Sequence, residues 1–592
     1  MNNELDLKRR SIKDYIIKLI DLNNLKDAKV LINEYKLKIA DDVEICSLLS
    51  IIYIMENNAN EAELALREGL KIDSTNADLM YNLGYLYECT ELKCLPLALG
   101  YYRRCFEYTE DNDLKSSMLV KVNEIKSQLT TVSEDNKPLV SIVVLAYNHL
   151  DYTKLCVDSI YEYTSHINFE LITVDNGSTD GTKAYFESLP NKKNVNIINN
   201  VRASDGFNAG IEAAEGKYTA CLCNDFIFTK NWLDNLLICI ESDESIGYVS
   251  PSSNHMTNFQ EIQTNYKSNI EMQQFASKYN VSDPSKWEER IVLLPNVLLC
   301  RSDFLQSIGG YDPRFYYGEF ADNDISFRIR RAGYKLIYAK DTFVHHAGSI
   351  TTTKEHEEND SITVSRLIFV NKHQMDPHIE AIFDQNILNV VNFKHKEDIK
   401  ILGINTFCGG TPLQVKNRFR NIGFNSVSIV NITENEKYME DLKTVSTEVY
   451  YLGIDKLDVF TINKKFDIII YENGFDNIDN FNDTITTLKS ALNPGGQLIF
   501  TINNIAYYKN LFSPENYANS LFSDDNKICY MDLRKILTIV SSNGFNNIKT
   551  IGLQTSSDKD FVENIVMALP KGTQDEFRNR ILINKYLISC EA

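Results

Sequence analysis

The pattern of apolar and polar positions changes near residue 138 and divides the chain. Before that point, CSLLSIIYIMEN is followed by ANEAELALREGLKI, which predicts a pair of helices joined by a short turn. After it, the apolar runs LVSIVVLAYN and FELITVDNGSTDGT are separated by the helical stretch DYTKLCVDSIYEY, and a further helix is expected to begin at Gly206. Strand, helix and strand in succession predict a parallel α/β sheet. The expected fold class is therefore multidomain, with an all-α region first and α/β domains after it.

The helical region contains an internal repeat. Small and aromatic residues recur in it with a period of 34 residues. The pairs are Ala28 and Ala62, Ser50 and Gly84, and Tyr53 and Tyr87. Helical units of this length stack on their neighbours, and small residues let the helices approach closely.

This repeat resembles the tetratricopeptide repeat over residues 1–130. The matching positions are Ser50, Tyr53, Ala62 and Gly69 in one copy, and Gly84, Tyr87, Ala98 and Cys105 in the next. The resemblance implies a concave surface that binds a peptide or a protein partner. Helical repeats also act as packing or dimerisation domains, and the sequence leaves both roles open.

Three predicted strands of the α/β region end in polar residues. The endings are Tyr147-Asn148, Asp175-Asn176 and Asn224-Asp225. Each pair alone is typical of a turn. Because ligands bind outside the carboxyl ends of strands in open α/β sheets, three such endings in order predict a binding pocket.

Residues 138–355 resemble an inverting family 2 glycosyltransferase with the GT-A fold. The motifs are SIVVLAYN, VDNGSTDGT, GFNAGIEAAEGKY, CND before a WL helix, GGYDPRF, DNDISFRIRRAGY and VHHAGS, in the order typical of that family. The resemblance implies a nucleotide-sugar donor, with Asp175 at the base and Arg202 facing the diphosphate. The residues that it assigns to the nucleotide-sugar site are Ala146, Tyr147, Asn148, Asp175, Arg202, Gly206 and Asn224.

A divalent cation, manganese or magnesium, is expected beside the donor. The leaving diphosphate develops charge that a cation neutralises, and oxygen ligands suit both metals. The metal motif of the family is present only as Cys223-Asn224-Asp225, so its first carboxylate is missing. Asp225 remains as the expected ligand, and His345 and His346 are the candidates that complete the site.

The acceptor hydroxyl needs a general base, and a carboxylate at the start of a helix suits that role. FADNDISFRIRRAGY supplies Asp322 and Asp324 at such a position. Asp324 also fits a helix cap. Where the family shows Glu-Asp, this chain has Ala321-Asp322, so the resemblance assigns Asp322 as the base and leaves Glu319 as the substitute. Direct displacement by such a base inverts the anomeric centre.

The last part of the chain predicts a second α/β domain. Residues 356–397 are expected to form a helical linker, and residues 398–592 resemble a methyltransferase of the Rossmann-like fold that uses S-adenosylmethionine. Cofactor binding there needs a glycine-rich turn after the first strand and an acid after the second. The first turn, NTFCGGTP, is longer than the family pattern, and the second strand ends in Asn431. We therefore expect a degenerate domain without bound S-adenosylmethionine.

The composition limits the cellular location and the classes of binding partner that are expected. The net charge of -20 argues against a general nucleic-acid binder and against a polybasic membrane anchor. The 12 cysteines show no CxxC pair, which is typical of reduced thiols. The N-terminus MNNELDLKRR lacks the apolar core of a signal peptide, and no apolar run is long enough for a membrane helix. A cytoplasmic protein is expected.

These features together predict transfer of a sugar to a protein. The domain combination resembles bacterial enzymes that glycosylate flagellin or other surface proteins. The first expectation is N-acetylglucosamine, transferred from a UDP-sugar to a Ser or Thr hydroxyl of a protein that the repeats present. The alternatives are a glycan or lipid acceptor in surface-polysaccharide synthesis, a bifunctional glycosyltransferase and methyltransferase, and a non-catalytic binding scaffold.

Overall fold

The computed structural model describes thirteen stretches of the chain. They are residues 2–39, 41–130, 137–315, 318–348, 360–393, 398–461, 464–473, 475, 481–504, 507, 533–554, 559–567 and 574–592. These residues divide into two compact units. The first comprises Met1–Ser282, Leu293–Arg328 and Ala339–His373, and the second comprises Asp283–Val292, Ile329–Tyr338 and Gln374–Ala592.

The N-terminal part of the first unit is helical, as predicted. Its helices are α1 (Asn2–Asp21), α2 (Leu25–Lys36), α3 (Val43–Met55), α4 (Ala59–Ile72), α5 (Ala77–Cys89), α6 (Leu95–Tyr108) and α7 (Asn112–Leu129). The repeated small residues lie where these helices cross. A Cβ atom added to Gly84 would lie 2.5 Å from the ring of Tyr102, and one added to Gly69 would lie 2.6 Å from Leu79. Larger side chains at these positions would force the helices apart.

One sheet follows the helices. One half of it is mainly parallel, and antiparallel strands form the rest. Its strands are β1 (Val140–Ala146), β2 (Phe169–Asn176), β3 (Lys192–Ile197), β4 (Tyr218–Cys223), β6 (Ile246–Ser252), β7 (Trp287–Arg290), β8 (Leu298–Arg301) and β9 (Lys335–Phe343). Their order is β3-β2-β1-β4-β8-β6-β9-β7. Strands β1, β2, β3 and β4 pair in parallel, whereas β8 runs antiparallel to β4 and β6. A separate ribbon joins β5 (Phe226–Ile227) to β10 (His345–His346).

Helices connect these strands. They are α8 (Leu150–Thr164), α9 (Thr182–Ser188), α10 (Arg202–Ala213), α11 (Trp232–Glu241), α12 (Asn269–Tyr279), α13 (Ser302–Ser307), α14 (Ala321–Arg331) and α15 (Ser361–His373). Helix α10 lies unusually close to the sheet. A Cβ atom at Gly210 would lie 2.2 Å from Val143, and one at Gly206 would lie 2.6 Å from Leu145. The two glycines therefore allow the beginning of α10 to reach the carboxyl ends of β1 and β2.

The second unit contains a further sheet. Its strands are β11 (Ile399–Ile404), β12 (Val427–Thr433), β13 (Glu448–Tyr451), β14 (Phe466–Tyr471), β15 (Leu492–Asn503), β16 (Asn546–Gln554) and β17 (Ile583–Glu591), in the order β13-β12-β11-β14-β15-β17-β16. Its helices are α16 (Pro377–Glu380), α17 (Gln385–Val390), α18 (Gly410–Asn421), α19 (Met439–Val445), α20 (Leu457–Thr461), α21 (Phe481–Ala491), α22 (Leu533–Ser542), α23 (Lys559–Met567) and α24 (Gln574–Leu582). The first five strands pair in parallel, and β17 runs antiparallel to β15 and β16.

A buried ion pair joins separate segments of the second unit. Arg330 donates to Asp441 Oδ1 at 2.8 Å, and Arg331 donates to Asp441 Oδ2 at 2.7 Å. Arg330 also donates to the carbonyl oxygen of Ile291 at 2.9 Å. The side chain of Asp441 is fully buried. The unit is therefore assembled from three separate parts of the chain.

Most predicted elements are present with small shifts in their ends. Helix α10 begins at Arg202, four residues before the predicted start at Gly206, which was wrong. Residues 356–359 and 394–397 of the predicted linker lie outside the described residues, and the remainder contains α15, α16 and α17. Within the described stretches, none of the helices has the length and apolar content that crossing a bilayer requires.

Candidate functional site

A cavity of about 410 Å³ opens at the carboxyl ends of β1, β2 and β4. Seven of the residues singled out in the sequence line it: Tyr147, Arg202, Asn224, Asp225, Glu319, Asp322 and His346. Cys223, Asn176 and Asn200 are also part of its wall. The structure thus brings polar groups from distant parts of the sequence to one place, as the strand endings predicted.

The turn after β1 is fixed by the turn after β2. Asn148 adopts a left-handed conformation with φ of 59°, and its Oδ1 accepts a hydrogen bond from the Thr179 amide at 2.8 Å. The Asn148 amide donates to Ser178 Oγ at 2.8 Å. Tyr147 is 38% exposed beside this turn and faces the cavity. Asn148 therefore holds the loop, and Tyr147 is the side chain that the loop presents.

Asp175 lies at the end of β2 and is almost completely buried. Burial raises the pKa of its carboxyl group, and hydrogen bonds from Ser178 partly oppose that rise. Asp175 does not belong to the cavity wall, and neither do the predicted residues Ala146, Asn148 and Gly206. Their assignment to the nucleotide-sugar site stays a prediction.

Arg202 begins α10 at the cavity wall in an uncommon backbone conformation. Its φ is 73°, in the left-handed region that non-glycine residues rarely adopt. The Arg202 amide donates to Asn200 Oδ1 at 2.8 Å. The Val201 amide donates to Asn176 Oδ1 at 2.9 Å. These hydrogen bonds fix the backbone position from which the side chain of Arg202 extends.

Asp225 and His346 form the polar centre of the cavity. Nε2 of His346 lies 3.3 Å from Oδ2 of Asp225, and Nδ1 donates to the carbonyl oxygen of His255 at 2.8 Å. The ring of His346 stacks on Phe226 with 4.4 Å between centroids. Oδ1 of Asp225 is buried and has no hydrogen-bond partner among the described residues.

The protonation of this pair follows from its geometry. Because Nδ1 of His346 faces a carbonyl oxygen, it holds the proton, so a neutral ring points the Nε2 lone pair at the Asp225 carboxylate. Burial lowers the pKa of His346, but the hydrogen bond and charge of Asp225 and the His255 carbonyl outweigh it, and the pKa is raised. Two acceptors at 3.3 Å require a cation between or beside them, either a proton or a metal ion.

His345 points away from this pair. Its Nδ1 lies 2.6 Å from the hydroxyl oxygen of Tyr266. Burial lowers the pKa of His345, and the charge of His346 lowers it further.

Asn224 donates its side-chain amide to the Asn148 carbonyl at 3.0 Å and to Thr153 Oγ1 at 2.8 Å. Among the described residues, no group of three or more His, Cys, Asp and Glu side chains is arranged to hold a metal ion.

Asp322 occupies the first turn of α14 at the cavity wall. Burial alone raises the pKa of its carboxyl group to about 7. A carboxyl group with this pKa exists in both protonation states near neutral pH, as proton transfer requires. The position and the pKa together suit a general base.

The neighbouring carboxylates, Glu319 and Asp324, form hydrogen bonds or ion pairs with other side chains of the protein. Glu319 accepts a hydrogen bond from Ser361 Oγ at 2.5 Å. Asp324 forms ion pairs with Arg328 at 2.8 Å and with Lys372 at 2.6 Å. Burial raises the pKa of Asp324, but these cations and the hydrogen bond to His373 outweigh it and hold it well below its usual range. Asp324 is therefore a permanently charged anchor for the start of α14.

Sequence reasoning missed Asn200 and His255, which orient this site, and it identified Asn176 only as a strand ending. Asn200 and Asn176 hold the beginning of α10, while His255 fixes the ring of His346 through its carbonyl oxygen. The Asn199-Asn200 pair before α10 was a usable signal, since asparagine side chains often bond the backbone two residues later. A carbonyl partner such as that of His255 leaves no signal in the sequence.

In the second unit, Asn431 lies inside β12, which continues to Thr433, so the prediction that this strand ends in Asn431 was wrong by two residues. Its Oδ1 accepts from Thr406 Oγ1 at 3.0 Å, and its Nδ2 donates to Ser446 Oγ at 2.8 Å. A Cβ atom at Gly403 would lie 2.0 Å from Asn431 Oδ1. The side chain of Asn431 is thus occupied in joining β12 to the turn after β11.

The parallel strands, the connecting helices and the polar strand ends define an α/β domain with a cavity at the carboxyl edge of the sheet, which is where open α/β sheets generally bind ligands. Residues 141–288 match the family model described as Glycosyl transferase family 2. An uncharacterized glycosyltransferase of Haemophilus influenzae is 25% identical over 353 residues, which is 57% of this chain and 92% of that protein. Glycosyltransferase AglE of Haloferax volcanii is 24% identical over 35% of this chain and 67% of its own length. These matches show that residues 141–288 are similar to family 2 glycosyltransferases.

Among solved structures, the mannosyltransferase PcManGT from Pyrobaculum calidifontis, in complex with GDP-Man and Mn2+, also matches. The match covers 45% of this chain and 72% of that chain, at 18% identity and a TM-score of 0.28.

Proposed function

We propose that the chain is a metal-dependent, inverting glycosyltransferase whose donor occupies the cavity at the ends of β1, β2 and β4. The observation that supports this most strongly is the pairing of Asp225 with His346. Oδ1 of Asp225 is buried and has no partner in the described part of the chain, and Oδ2 faces Nε2 of His346 at 3.3 Å. Such an arrangement fits a cation.

Asp225 and His346 would hold the cation, with the donor diphosphate and water as further ligands. Magnesium and manganese are commonly bound through one or two carboxylates together with substrate phosphates, so two protein ligands are enough. The bound cation would neutralise the charge that develops on the leaving diphosphate. Arg202, which also lines the cavity, would add a second positive charge toward the same phosphates.

Asp322 would take the proton from the acceptor hydroxyl as its oxygen attacks the anomeric carbon. The bond from that carbon to the diphosphate breaks as the new glycosidic bond forms, so the anomeric centre inverts. Glu319 is the alternative carboxylate at this wall. Its hydrogen bond with Ser361 favours a supporting role, which leaves Asp322 as the proposed base.

For the substrates, we propose UDP-N-acetylglucosamine as the first donor to test and a Ser or Thr hydroxyl of a protein as the acceptor. Flagellin is the first candidate protein. A glycan or lipid acceptor of surface-polysaccharide synthesis is the alternative within the same chemistry. A non-catalytic scaffold is the opposing reading.

A panel of UDP- and GDP-sugars, incubated with the protein and manganese, tests this function. We expect the wild type to release the nucleoside diphosphate from at least one donor slowly, and to do so faster with a hydroxyl acceptor. Asp225→Asn should abolish the manganese-dependent release, and Asp322→Asn should reduce it strongly. Equal release by the wild type and both variants would contradict the proposed site, and no nucleotide binding to the wild type would support the scaffold.

For the second unit, we propose a structural or acceptor-handling role. The side chain of Asn431, near the end of β12, is engaged with Thr406 and Ser446 and joins this strand to the turn after β11. Calorimetric titration of the full chain with S-adenosylmethionine tests this proposal. A measurable heat of binding at micromolar concentration would instead support the bifunctional alternative.

A further inference from the structure

The helix that presents Arg202 to the cavity begins in a strained conformation. A left-handed backbone at a non-glycine residue is strained and persists only where the surrounding structure enforces it. Arg202 has this conformation at a φ of 73°. The groups that enforce it therefore also determine where its guanidinium group is presented.

One set of these groups belongs to the sheet. Asn176, at the end of β2, accepts from the Val201 amide and donates to Asn200 Oδ1 at 3.1 Å and to the Arg202 carbonyl at 3.2 Å. A Cβ atom at Gly177 would lie 2.8 Å from the Asn200 amide nitrogen. The turn after β2 thus presses directly against the residues that precede α10.

The second set belongs to the helical repeats. Asn199 donates its side-chain amide to Asn60 Oδ1 at 2.7 Å and to Glu63 Oε2 at 3.0 Å. One turn into α10, Asp205 accepts from Arg67 at 2.9 Å and from the hydroxyl group of Tyr101 at 2.7 Å. The repeats therefore hold the backbone on both sides of Arg202.

These contacts are buried, which makes them energetically significant. Asp205 is 4% exposed, and Tyr101 is 1% exposed. Arg104 also reaches the carboxylate of Asp205, at 3.4 Å. Two guanidinium groups thus neutralise one buried carboxylate, and the loss of a single partner leaves an incompletely paired charge in a region of low dielectric constant.

We propose that the helical repeats are a working part of the donor site, with Arg67 and Tyr101 acting through Asp205 as positioning residues for Arg202. This inference rests on the proposed donor function of the cavity. It also means that one part of the surface of the repeats, formed by Arg67 and Tyr101, is covered by α10. A protein partner would have to bind the repeats elsewhere.

Two adjacent tyrosines of α6 provide a matched test. Tyr101 donates to Asp205, whereas Tyr102 donates to Glu88 Oε2 at 2.7 Å within the repeats. Both side chains are buried, and Phe at either position removes one hydroxyl-to-carboxylate hydrogen bond while keeping the ring. The two variants should therefore lose similar stability, but only one of them acts on α10.

We expect Tyr101→Phe to raise the KM for UDP-N-acetylglucosamine about five- to tenfold in the presence of manganese, since a hydrogen bond to a charged group is lost. The kcat should change less than twofold, and Tyr102→Phe should leave both constants unchanged. Equal effects of the two variants on KM, or no effect of Tyr101→Phe, would overturn the proposal.

Hydrogen–deuterium exchange gives a readout that needs no donor. Amides of residues 199–206 should exchange faster in Tyr101→Phe than in the wild type, and at the wild-type rate in Tyr102→Phe. Unchanged exchange in Tyr101→Phe would overturn the positioning role even if the protein used another donor. Faster exchange without any donor binding by the wild type would contradict the proposed function and leave the positioning role in place.

Discussion

Nε2 of His346 lies 3.3 Å from Oδ2 of Asp225 because the short strands β10 and β5 run antiparallel and bring the two residues to the same end of the ribbon. His346 pairs with Phe226, and the preceding His345 pairs with Ile227. Successive side chains of a strand point to opposite faces, so His345 faces Tyr266 instead. Two adjacent histidines thus have separate surroundings.

This difference makes the two histidines a matched pair for the metal site. We expect His346→Ala to weaken manganese binding by roughly 10- to 100-fold, because a candidate ligand is lost. His345→Ala should weaken it less than threefold. Manganese titration of the initial rate of donor hydrolysis measures both. A larger effect at His345 than at His346 would contradict the assignment of His346 to the cation.

Asp322→Asn should lower kcat by about 100-fold or more, as expected for loss of a general base. The change is nearly isosteric, so the KM for the donor should vary little. Glu319→Gln is the control, since Glu319 lines the same wall and bonds Ser361. We expect it to lower kcat by less than about tenfold. The opposite ranking would identify Glu319 as the base.

The rate should rise with pH through the neutral region. Burial raises the pKa of Asp322 to about 7, and a general base acts only when it is deprotonated. With saturating manganese, kcat/KM should increase about tenfold for each pH unit below that value and level off above it. This limb should be absent from the residual activity of Asp322→Asn. A flat profile in the wild type would show that Asp322 is not the base.

The same pKa has a consequence for stability. The folded state holds the Asp322 proton more tightly than the unfolded chain, whose carboxyl pKa is about 3.9, so the folded state binds more protons between pH ~4 and ~7. The contribution of Asp322 to the free energy of unfolding therefore falls as the pH rises through this window. Without metal, the Tm of Asp322→Asn should exceed that of the wild type more at pH ~8 than at pH ~5. A constant difference would contradict the raised pKa.

Gly210→Ala tests the close contact between α10 and the sheet. Its new methyl group would lie 2.2 Å from Val143 Cγ1, so we expect a loss of about 1–3 kcal/mol in the free energy of unfolding. Val143→Ala removes the obstacle, and the double variant should recover part of that loss. Denaturant unfolding measures the free energy of unfolding of the wild type, the two single variants and the double variant. Additive losses would show that the two side chains do not meet.

Much of the first sheet could be predicted because its strands are continuous apolar runs that end in polar residues. Strand β1 spans Val140–Ala146, Asp175 is the penultimate residue of β2, and Asp225 follows the end of β4. The carboxyl ends of parallel strands lie at one edge of a sheet, so local patterns were sufficient to place Asp225 and Tyr147 beside one cavity. The chemical roles of these residues stay predictions.

Other features depend on partners far away in the chain. Strand β17 was not predicted, because its pairing with β15 joins Cys590 to Leu498, and a segment that follows a charged helix gives little local signal for a strand. The start of α10 was placed too late, since the glycines at 206 and 210 lower helix propensity. Only the contacts of Asn200 and Asp205 explain why the helix begins at Arg202.

The three-segment composition of the second unit affects its folding during synthesis. Arg330 and Asp441 are 111 positions apart, and the chain is translated at about 5–20 residues per second. For several seconds, Arg330 is therefore present in a nascent chain that does not yet contain Asp441. The second unit can assemble only after the ribosome has translated Asp441, well beyond residues 141–288 that match the family model, so its folding depends on synthesis of most of the chain.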